Sequence, residues 1–379
     1  MSDGSNVDGM GFRYWPFDLV PRPGERLVWA ARPGLKKEID RLRLRLGRHQ
    51  AVSLHLLWAD FGAGKTHTLL YIKQEADAGR FGEVLPLYSV LPKGCREFID
   101  IYRAVVRAIP PRLIRNAYQA ALQSVGREKL DETLADVWLS LPKCFQAISI
   151  GSEPQQRVAL GWLHAETGVT ARDLHGLSIL GRIRSTDEAV LALCGIVRLF
   201  NLAGSRRVLL MVDEFQRVET LRRQQQEDIN AGLHGFFNAC GQGMSLLLSF
   251  SFGVESNIRH FLNPELLSRA DPLRISIPKL SIEEGEAFLT DLLAQARDPE
   301  APRVFGADLV PTIVSSVAAK FALTPRRLVK AAGLVFELAS IEFDDGTLAE
   351  LEGRYVSQLV ANGEFARIDD EEDSADGIS

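Results

Sequence analysis

Residues 52–66 read VSLHLLWADFGAGKT, an apolar run followed by a glycine-rich turn. Apolar residues resume at 69–72, so the pattern predicts a strand, a loop and the first turns of a helix. Glycines let successive backbone N–H groups close around an anion, and the positive end of the new helix points at the same place. The segment therefore predicts a phosphate-binding loop.

The residues of this loop have separate expected roles. Lys65 is expected to reach the β- and γ-phosphate oxygens of ATP, and the Thr66 hydroxyl to bind Mg²⁺. The spacing G-x-x-x-x-G-K-[ST] is met only in part, because Ala59 stands at the first glycine position. Alanine there needs either a negative φ or about 1–2 kcal/mol of strain. We expect the nucleotide to be held by Asp60, Phe61, Gly62, Ala63, Gly64, Lys65, Thr66 and His67.

A second apolar run ends in two acidic residues. Residues 208–212 read VLLMV and are followed by Asp213 and Glu214, a pattern typical of a strand buried on both faces of a parallel sheet. Ligands bind beyond the carboxyl ends of such strands. We therefore expect Asp213 to hold the water shell of Mg²⁺ and Glu214 to polarise the water that attacks the γ-phosphate. The alternative is that the two acids only cap a loop.

The composition is that of an ordinary globular protein with two or three domains. The chain has 379 residues, of which 46% are hydrophobic and 25% charged. Its longest apolar runs are far shorter than the roughly 18 residues of a membrane-spanning helix, and residues 1–6 contain neither a basic region nor an apolar segment. We expect a cytoplasmic protein without a membrane partner. The four widely spaced cysteines are expected to be core thiols.

The net charge of −5 is concentrated at one end of the chain. Six acidic residues lie within residues 369–379, and without them the formal charge is about +1. An acidic run of this kind is typical of a solvated, disordered tail. A nearly neutral body neither requires nor excludes a nucleic-acid partner.

The order of periodic segments predicts an α/β fold with a parallel sheet core, a large helical insertion and a C-terminal helical lid. Further strands are expected at 84–90, 244–251 and 273–277, and lid helices at 282–296, 306–321, 324–340 and 347–361. The strand at 244–251 ends in hydroxyl residues, Ser249 and Ser251, either of which could orient the attacking water. The aromatic segment at 12–17 is expected to pack on the nucleotide domain.

These segments define four expected regions. They are an N-terminal linker with an amphipathic helix at 1–50, a nucleotide-binding core at 51–278 with a helical insertion at about 95–204, a helical lid at 279–362, and an acidic disordered tail at 363–379.

This order of features resembles the AAA+ P-loop ATPases, especially the initiator-like group of ExeA-type, TnsC/TniB-type and origin-recognition proteins. The resemblance rests on the two motifs above, the hydroxyl-tipped strand, and the segments LSR at 267–269 and LTPRRL at 323–328. It implies that Ser251, or Ser249, is a sensor of the γ-phosphate, and that Arg326 at the start of a lid helix is a second sensor. It also implies an arginine finger, Arg269 or its competitor Arg259, which completes the site of a neighbouring copy in a homo-oligomer.

A finer similarity lies in the insertion. Residues 157–166 read RVALGWLHAE and resemble the ATP-binding proteins of BREX-type phage-defence loci. The resemblances imply an oligomeric, ATP-hydrolysing regulator or loader on duplex DNA, in phage defence or mobile-element biology, with a partner protein encoded nearby. The alternatives are a STAND-like nucleotide-gated signalling switch and a protein-remodelling ATPase. The sequence shows neither the internal period of a sensor repeat nor a clear aromatic pore loop.

Overall fold

The computed structural model describes residues 10–19, 27–48, 51–251, 255–298, 300–301, 305–345 and 347–368. The chain divides into two compact units. The loop unit, named for its glycine-rich segment, comprises Met1–Lys36, Ala59–Tyr71 and Ile277–Ser379, and the sheet unit comprises Lys37–Trp58 and Ile72–Ser276. Residues 369–379 of the predicted acidic tail lie outside the described residues, as do residues 1–6.

The sheet unit is built on a sheet of five strands. They are β1 (Ser53–Ala59), β2 (Val84–Val90), β3 (Arg207–Asp213), β4 (Met244–Ser251) and β5 (Ala270–Ile277). Their order in the sheet is β2-β3-β4-β1-β5. Strand β3 lies between β2 and β4 and runs parallel to both, with Leu210 opposite both Leu87 and Leu246. Every residue of β3 is buried, which confirms the prediction made from its continuous apolar run.

Strand β5 begins earlier than the sequence predicts. It starts at Ala270 rather than at residue 273, and so includes the Asp271-Pro272 pair that is typical of a turn. Proline lacks a backbone N–H and is tolerated in strands mainly at the edge of a sheet. Because β5 is an edge strand, Pro272 does not interrupt it.

A helical segment connects β2 to β3, as the sequence predicts. Its helices are α3 (Phe98–Arg107), α4 (Pro111–Val125), α5 (Arg127–Ala135), α6 (Leu141–Ile150), α7 (Glu153–Leu163), α8 (Ala171–Gly176) and α9 (Thr186–Leu202). They follow α1 (Pro33–Arg48) and α2 (Lys65–Asp77), and α10 (Arg223–Cys240) and α11 (Pro264–Ser268) come after β3. Large buried side chains such as Tyr102, Phe145 and Trp162 continue the hydrophobic core of the sheet into this segment. All four cysteines are free and buried, which confirms that they are core thiols.

The loop unit contains the four helices that follow the sheet. They are α12 (Ile282–Ala296), α13 (Leu309–Ala318), α14 (Pro325–Asp344) and α15 (Gly353–Ala361). A capping box opens α12, because the Glu284 N–H donates to Ser281 Oγ and the Ser281 N–H donates to the Glu284 carboxylate. Helices α13 and α15 are shorter than predicted.

The N-terminal aromatic segment does not pack where the sequence analysis places it. The rings of Phe12 and Phe17 lie 5.4 and 5.0 Å from the ring of Phe336 on α14, which belongs to the predicted lid. The expectation that this segment packs on the nucleotide domain is therefore wrong. The reason is that the buried apolar side of α14 accepts aromatic rings, a preference that the N-terminal sequence alone does not reveal.

Among the helices of the described residues, none is long and apolar enough to span a bilayer.

Candidate functional site

The predicted phosphate-binding loop forms in the loop unit as a tight turn before α2. Gly62 and Gly64 have φ values of +75° and +94°, in the region that glycine adopts without a steric penalty. The Ala63 N–H donates to the Asp60 carbonyl at 3.2 Å and closes the turn. Ala59, in contrast, lies in β1 and does not have a positive φ. Alanine at the position of the usual glycine therefore causes no backbone strain. We call residues 60–64 the glycine loop.

The residues around the glycine loop differ in burial. Lys65 opens α2 and is only 6% exposed, whereas Phe61 is 55% exposed. The Asp60 carboxylate lies 3.0 Å from Lys279 Nζ in a partly exposed ion pair. Thr66 and His67 follow in the first turn of the helix, which is closed by the Thr68 N–H donating to the Gly64 carbonyl at 2.9 Å. The loop thus presents glycine backbone and a lysine at the start of α2.

The first turn of α14 contacts the glycine loop within the loop unit. Thr324 caps α14 by accepting from the Arg327 N–H, and the Arg326 N–H donates to the Gly62 carbonyl at 3.2 Å. The Arg326 guanidinium lies 5.0 Å from the centre of the Phe61 ring. Its Nε is buried, and no hydrogen-bond acceptor for it lies within the described part of the chain. The structure therefore brings the predicted second sensor to the loop.

Gly62→Ala is expected to destabilise the protein and to weaken nucleotide binding. A Cβ at this position would lie 3.3 Å from both Arg326 Cβ and Thr324 Oγ1, and alanine at φ +75° adds about 1–2 kcal/mol of backbone strain. Gly82→Ala is the matched control, because Gly82 has φ +71° and open space around it. Urea unfolding and ADP titration would compare the two variants. Equal losses of stability with unchanged ADP affinity would contradict this view of the loop.

In the sheet unit, three donors hold the carboxylate of Asp213 at the end of β3. Ser249 Oγ and the Glu214 N–H both donate to Oδ1, the latter at 2.8 Å, and the Tyr88 hydroxyl donates to Oδ2 at 3.2 Å. Asp213 is 1% exposed. Burial and the charge of Asp213 raise the pKa of Tyr88, so its phenol keeps its proton and remains a donor. The carboxylate is thus fixed in orientation by groups on β2, on β4 and in the turn after β3.

Glu214 adopts a backbone conformation that its sequence does not suggest. Its φ and ψ are +61° and +33°, a left-handed geometry that costs a residue other than glycine about 1–2 kcal/mol. The side chain accepts a hydrogen bond from Gln216 Nε2 at 2.8 Å and lies 3.7 Å from Arg217 Nη2. Strained residues of this kind cluster at functional sites, where the surrounding structure maintains them. The predicted catalytic base is therefore held in a strained turn directly after β3.

The two serines at the end of β4 have different surroundings. Ser249 is fully buried, and its hydroxyl is the one that contacts Asp213. The Ser251 N–H instead donates to Gln216 Oε1 at 3.0 Å. Gln216 therefore links the tip of β4 to Glu214, a bridge that the sequence analysis did not identify. No sequence pattern marks this glutamine, because it lies in the 3₁₀ segment Phe215–Thr220 after the strand.

Both candidates for the arginine finger are exposed. Arg269 directly follows α11, and Arg259 lies in the 3₁₀ segment Glu255–His260. Exposure is therefore shared by the two candidates and does not separate them.

His67 is expected to make the stability of the protein depend on pH. Burial lowers its pKa, a backbone hydrogen bond to Val28 opposes this, and the nearby charge of Arg32 lowers it further. The unfolded chain therefore binds a proton at a higher pH, near 6.5, than the folded protein does. We expect the free energy of unfolding to fall as the pH drops below about 6.5, and the fall to be smaller in His67→Gln. Urea unfolding from pH 7.5 to 5.5 tests this, and an unchanged slope in the variant would contradict it.

The chain is similar to known proteins at two levels, a family model and a set of solved structures. Residues 111–258 match the family model described as BREX system ATP-binding protein BrxC/D. The matched region covers less than half of the chain, and it includes β3, β4 and most of the helices between β2 and β3. Among curated proteins, no relative matches the chain.

Solved structures resemble this chain over a longer part of its length than the family model does. The ORC2 protein of Aeropyrum pernix, in ADPNP–ADP complexes, matches with a TM-score of 0.54 at 15% identity, over 92% of this chain and 71% of that one. The ORC1 protein of Aeropyrum pernix in complex with DNA matches with a TM-score of 0.50 at 15% identity, over 94% and 71%. Cdc6p from Pyrobaculum aerophilum matches with a TM-score of 0.50 at 13% identity, over 89% and 67%.

At these identities the likeness to solved structures is one of fold. Together with the parallel sheet and its helices, it confirms the fold class predicted from the two motifs. The chain has an α/β P-loop NTPase fold of the AAA+ type, resembling the ORC and Cdc6 proteins and, over residues 111–258, the BREX ATP-binding proteins BrxC/D.

Proposed function

We propose that this chain binds ATP together with Mg²⁺ and hydrolyses it to ADP and phosphate. The glycine loop carries the proposal, because two left-handed glycines there directly precede a buried lysine at the start of α2. Backbone N–H groups and a helix N-terminus in this arrangement suit a phosphate group. The description of the matched family as ATP-binding and the ADPNP–ADP complexes of the ORC2 protein support the same ligand.

The residues present fit both the nucleotide and the metal. A side chain at Gly62 would crowd Thr324 and Arg326, and φ is positive there, so the loop requires glycine at this position. Asp213 is a carboxylate whose orientation is fixed by three donors, and hard oxygen ligands of this kind suit Mg²⁺. Mg²⁺, when bound, neutralises charge on the phosphate oxygens.

Each site residue has a proposed part in the reaction. Lys65 and the backbone of residues 60–67 bind the phosphates, while Thr66 and Asp213 hold the metal and its waters. Glu214 accepts a proton from the attacking water. The strained turn and the hydrogen bond from Gln216 hold the Glu214 side chain in place for this step. For the sensor at the tip of β4, the contact with Asp213 favours Ser249 over Ser251.

Two arginines have proposed roles around the γ-phosphate. Arg326, in the first turn of α14, binds the γ-phosphate and so senses whether it is present. The contacts of Arg326 with Gly62 and Phe61 support this role. Arg269, or Arg259, acts on a neighbouring copy, and the exposure of both side chains is compatible with that role. The active unit is then a homo-oligomer in which ATP stabilises the assembled state.

We further propose that the oligomer is a nucleotide-dependent regulator or loader on duplex DNA in the cytoplasm, acting in phage defence or mobile-element biology with a partner protein encoded nearby. The similarity to BrxC/D and the fold shared with a DNA-bound ORC1 protein favour this function. A STAND-like switch and a protein-remodelling ATPase remain the competing functions.

The test is the ATPase rate with and without duplex DNA at two salt concentrations. We expect DNA to stimulate the rate, and the stimulation to fall steeply with salt because phosphate contacts release counterions. Mass measurement with a non-hydrolysable ATP analogue, with and without DNA, would report the oligomer. Failure to bind any nucleotide would overturn the ATPase proposal, and tight ADP retention without DNA stimulation would favour the switch.

A further inference from the structure

The segment at 27–32 packs against the glycine loop and the start of α2 within the loop unit. The Trp29 ring lies 4.7 Å from the ring of Tyr71 and 6.3 Å from that of His67, both on α2. The Trp29 carbonyl accepts from Gln295 Nε2 at 3.0 Å, so the segment is also fixed to α12. These contacts bring Arg32 beside the glycine loop.

Arg32 bonds directly to the backbone of the loop. Its Nη1 donates to the Ala63 carbonyl at 2.8 Å, and its Nη2 donates to the Pro278 carbonyl. The planar fork of a guanidinium can hold two acceptors in fixed directions at once. Arg32 therefore ties the loop to the residue that follows β5.

The bond to Ala63 has a consequence for the next residue. The Ala63 carbonyl and the Gly64 N–H belong to one planar trans peptide, in which the two groups point in opposite directions. Drawing the carbonyl toward Arg32 thus directs the Gly64 N–H away from Arg32. In a loop of this kind that N–H is one of the donors that close around a phosphate.

The backbone that delivers Arg32 is strained. Ala31 and Arg32 have φ values of +47° and +54°, two consecutive left-handed residues of which neither is glycine. The Ala31 N–H donates to Asp291 Oδ2 at 2.7 Å, and the Trp29 indole N–H donates to the Ala31 carbonyl at 2.8 Å. Strain that is maintained by several specific bonds is typical of a functional position.

We propose that Arg32 is a positioning residue of the phosphate site, which holds the Ala63–Gly64 peptide so that its N–H faces the bound nucleotide. The inference rests on the proposed ATP binding. It makes the N-terminal segment a determinant of affinity for the phosphates rather than only a packing element.

Arg32→Ala and Arg32→Lys test the proposal, with Arg13→Ala as the matched control. Arg13 also joins the N-terminal segment to α12, donating from Nη2 to the Gln295 carbonyl at 2.9 Å, but it bonds α12 rather than the loop. Affinities for ADP and adenosine would be measured by displacement of a fluorescent ADP analogue. We expect Arg32→Ala to weaken ADP on the order of tenfold and to leave adenosine unchanged, with Arg32→Lys intermediate.

A second measurement distinguishes failure of the positioning role of Arg32 from failure of the proposed ATP binding. Hydrogen exchange across residues 60–66 of the nucleotide-free protein should be faster in Arg32→Ala than in wild type or Arg13→Ala. Wild-type ADP affinity in Arg32→Ala, equal losses for ADP and adenosine, or unchanged exchange would each overturn the role of Arg32. If the wild type bound no nucleotide while exchange still rose in Arg32→Ala, the proposed ATPase function would fail and the hold on the loop would stand.

Discussion

Glu214→Gln is expected to bind ATP with wild-type affinity and to lose 10²–10⁴-fold in hydrolysis, on the order that a general base contributes. The amide keeps the size of the side chain and its contact with Gln216, but it cannot accept a proton from water. Glutamine carries about the same backbone cost as glutamate at φ +61°, so the free energy of unfolding should fall by no more than about 1 kcal/mol, through loss of the ion pair with Arg217. The variant should therefore trap the ATP-bound state.

Single-turnover hydrolysis and equilibrium ATP binding would separate the two effects. Glu219→Gln is the matched control, because Glu219 is an exposed glutamate in the 3₁₀ segment Phe215–Thr220 that directly follows Glu214. We expect it to hydrolyse ATP at the wild-type rate. Wild-type hydrolysis by Glu214→Gln would assign the base to another residue, and lost ATP binding would place Glu214 among the ligands of the nucleotide or metal.

The sequence predicts the parts of this fold that depend on local patterns. A continuous apolar run followed by Asp213-Glu214 is sufficient to predict β3 and its acidic end, because a buried parallel strand excludes polar residues. The glycine spacing predicts the loop for a similar reason, since a left-handed turn before a helix restricts the residue types that can form it.

The unpredicted features of the candidate site come from contacts between distant segments. Glutamate rarely adopts the left-handed conformation of Glu214, and no neighbouring residue in the sequence indicates it. Arg32 bonds to the Ala63 carbonyl from a backbone in which both Ala31 and Arg32 are left-handed, a conformation that neither residue type favours. The edge position of β5, which tolerates Pro272, likewise follows from strand order and not from the local sequence.

Lys65→Met is expected to raise the Kd for ATP on the order of 10²–10⁴-fold, which amounts to a loss of nucleotide binding at ordinary ATP concentrations. Charge-assisted hydrogen bonds are worth about 1.5–3 kcal/mol each, and the ammonium group is expected to contact two phosphate oxygens. Methionine fills the space of the lysine stem, which matters because Lys65 is only 6% exposed. Folding should thus be preserved or improved, since the variant no longer buries a charge.

Lys73→Met is the matched control on the same helix, because the Lys73 ammonium is exposed and pairs with Asp77 one turn away. It should bind ATP as the wild type does, since surface ion pairs of this kind contribute little. Calorimetric titration with ATP and Mg²⁺, together with thermal unfolding, separates lost binding from lost folding. Wild-type affinity in a folded Lys65→Met protein would remove the glycine loop from the nucleotide site, and the assignments of Thr66 and Arg326 would then have no anchor.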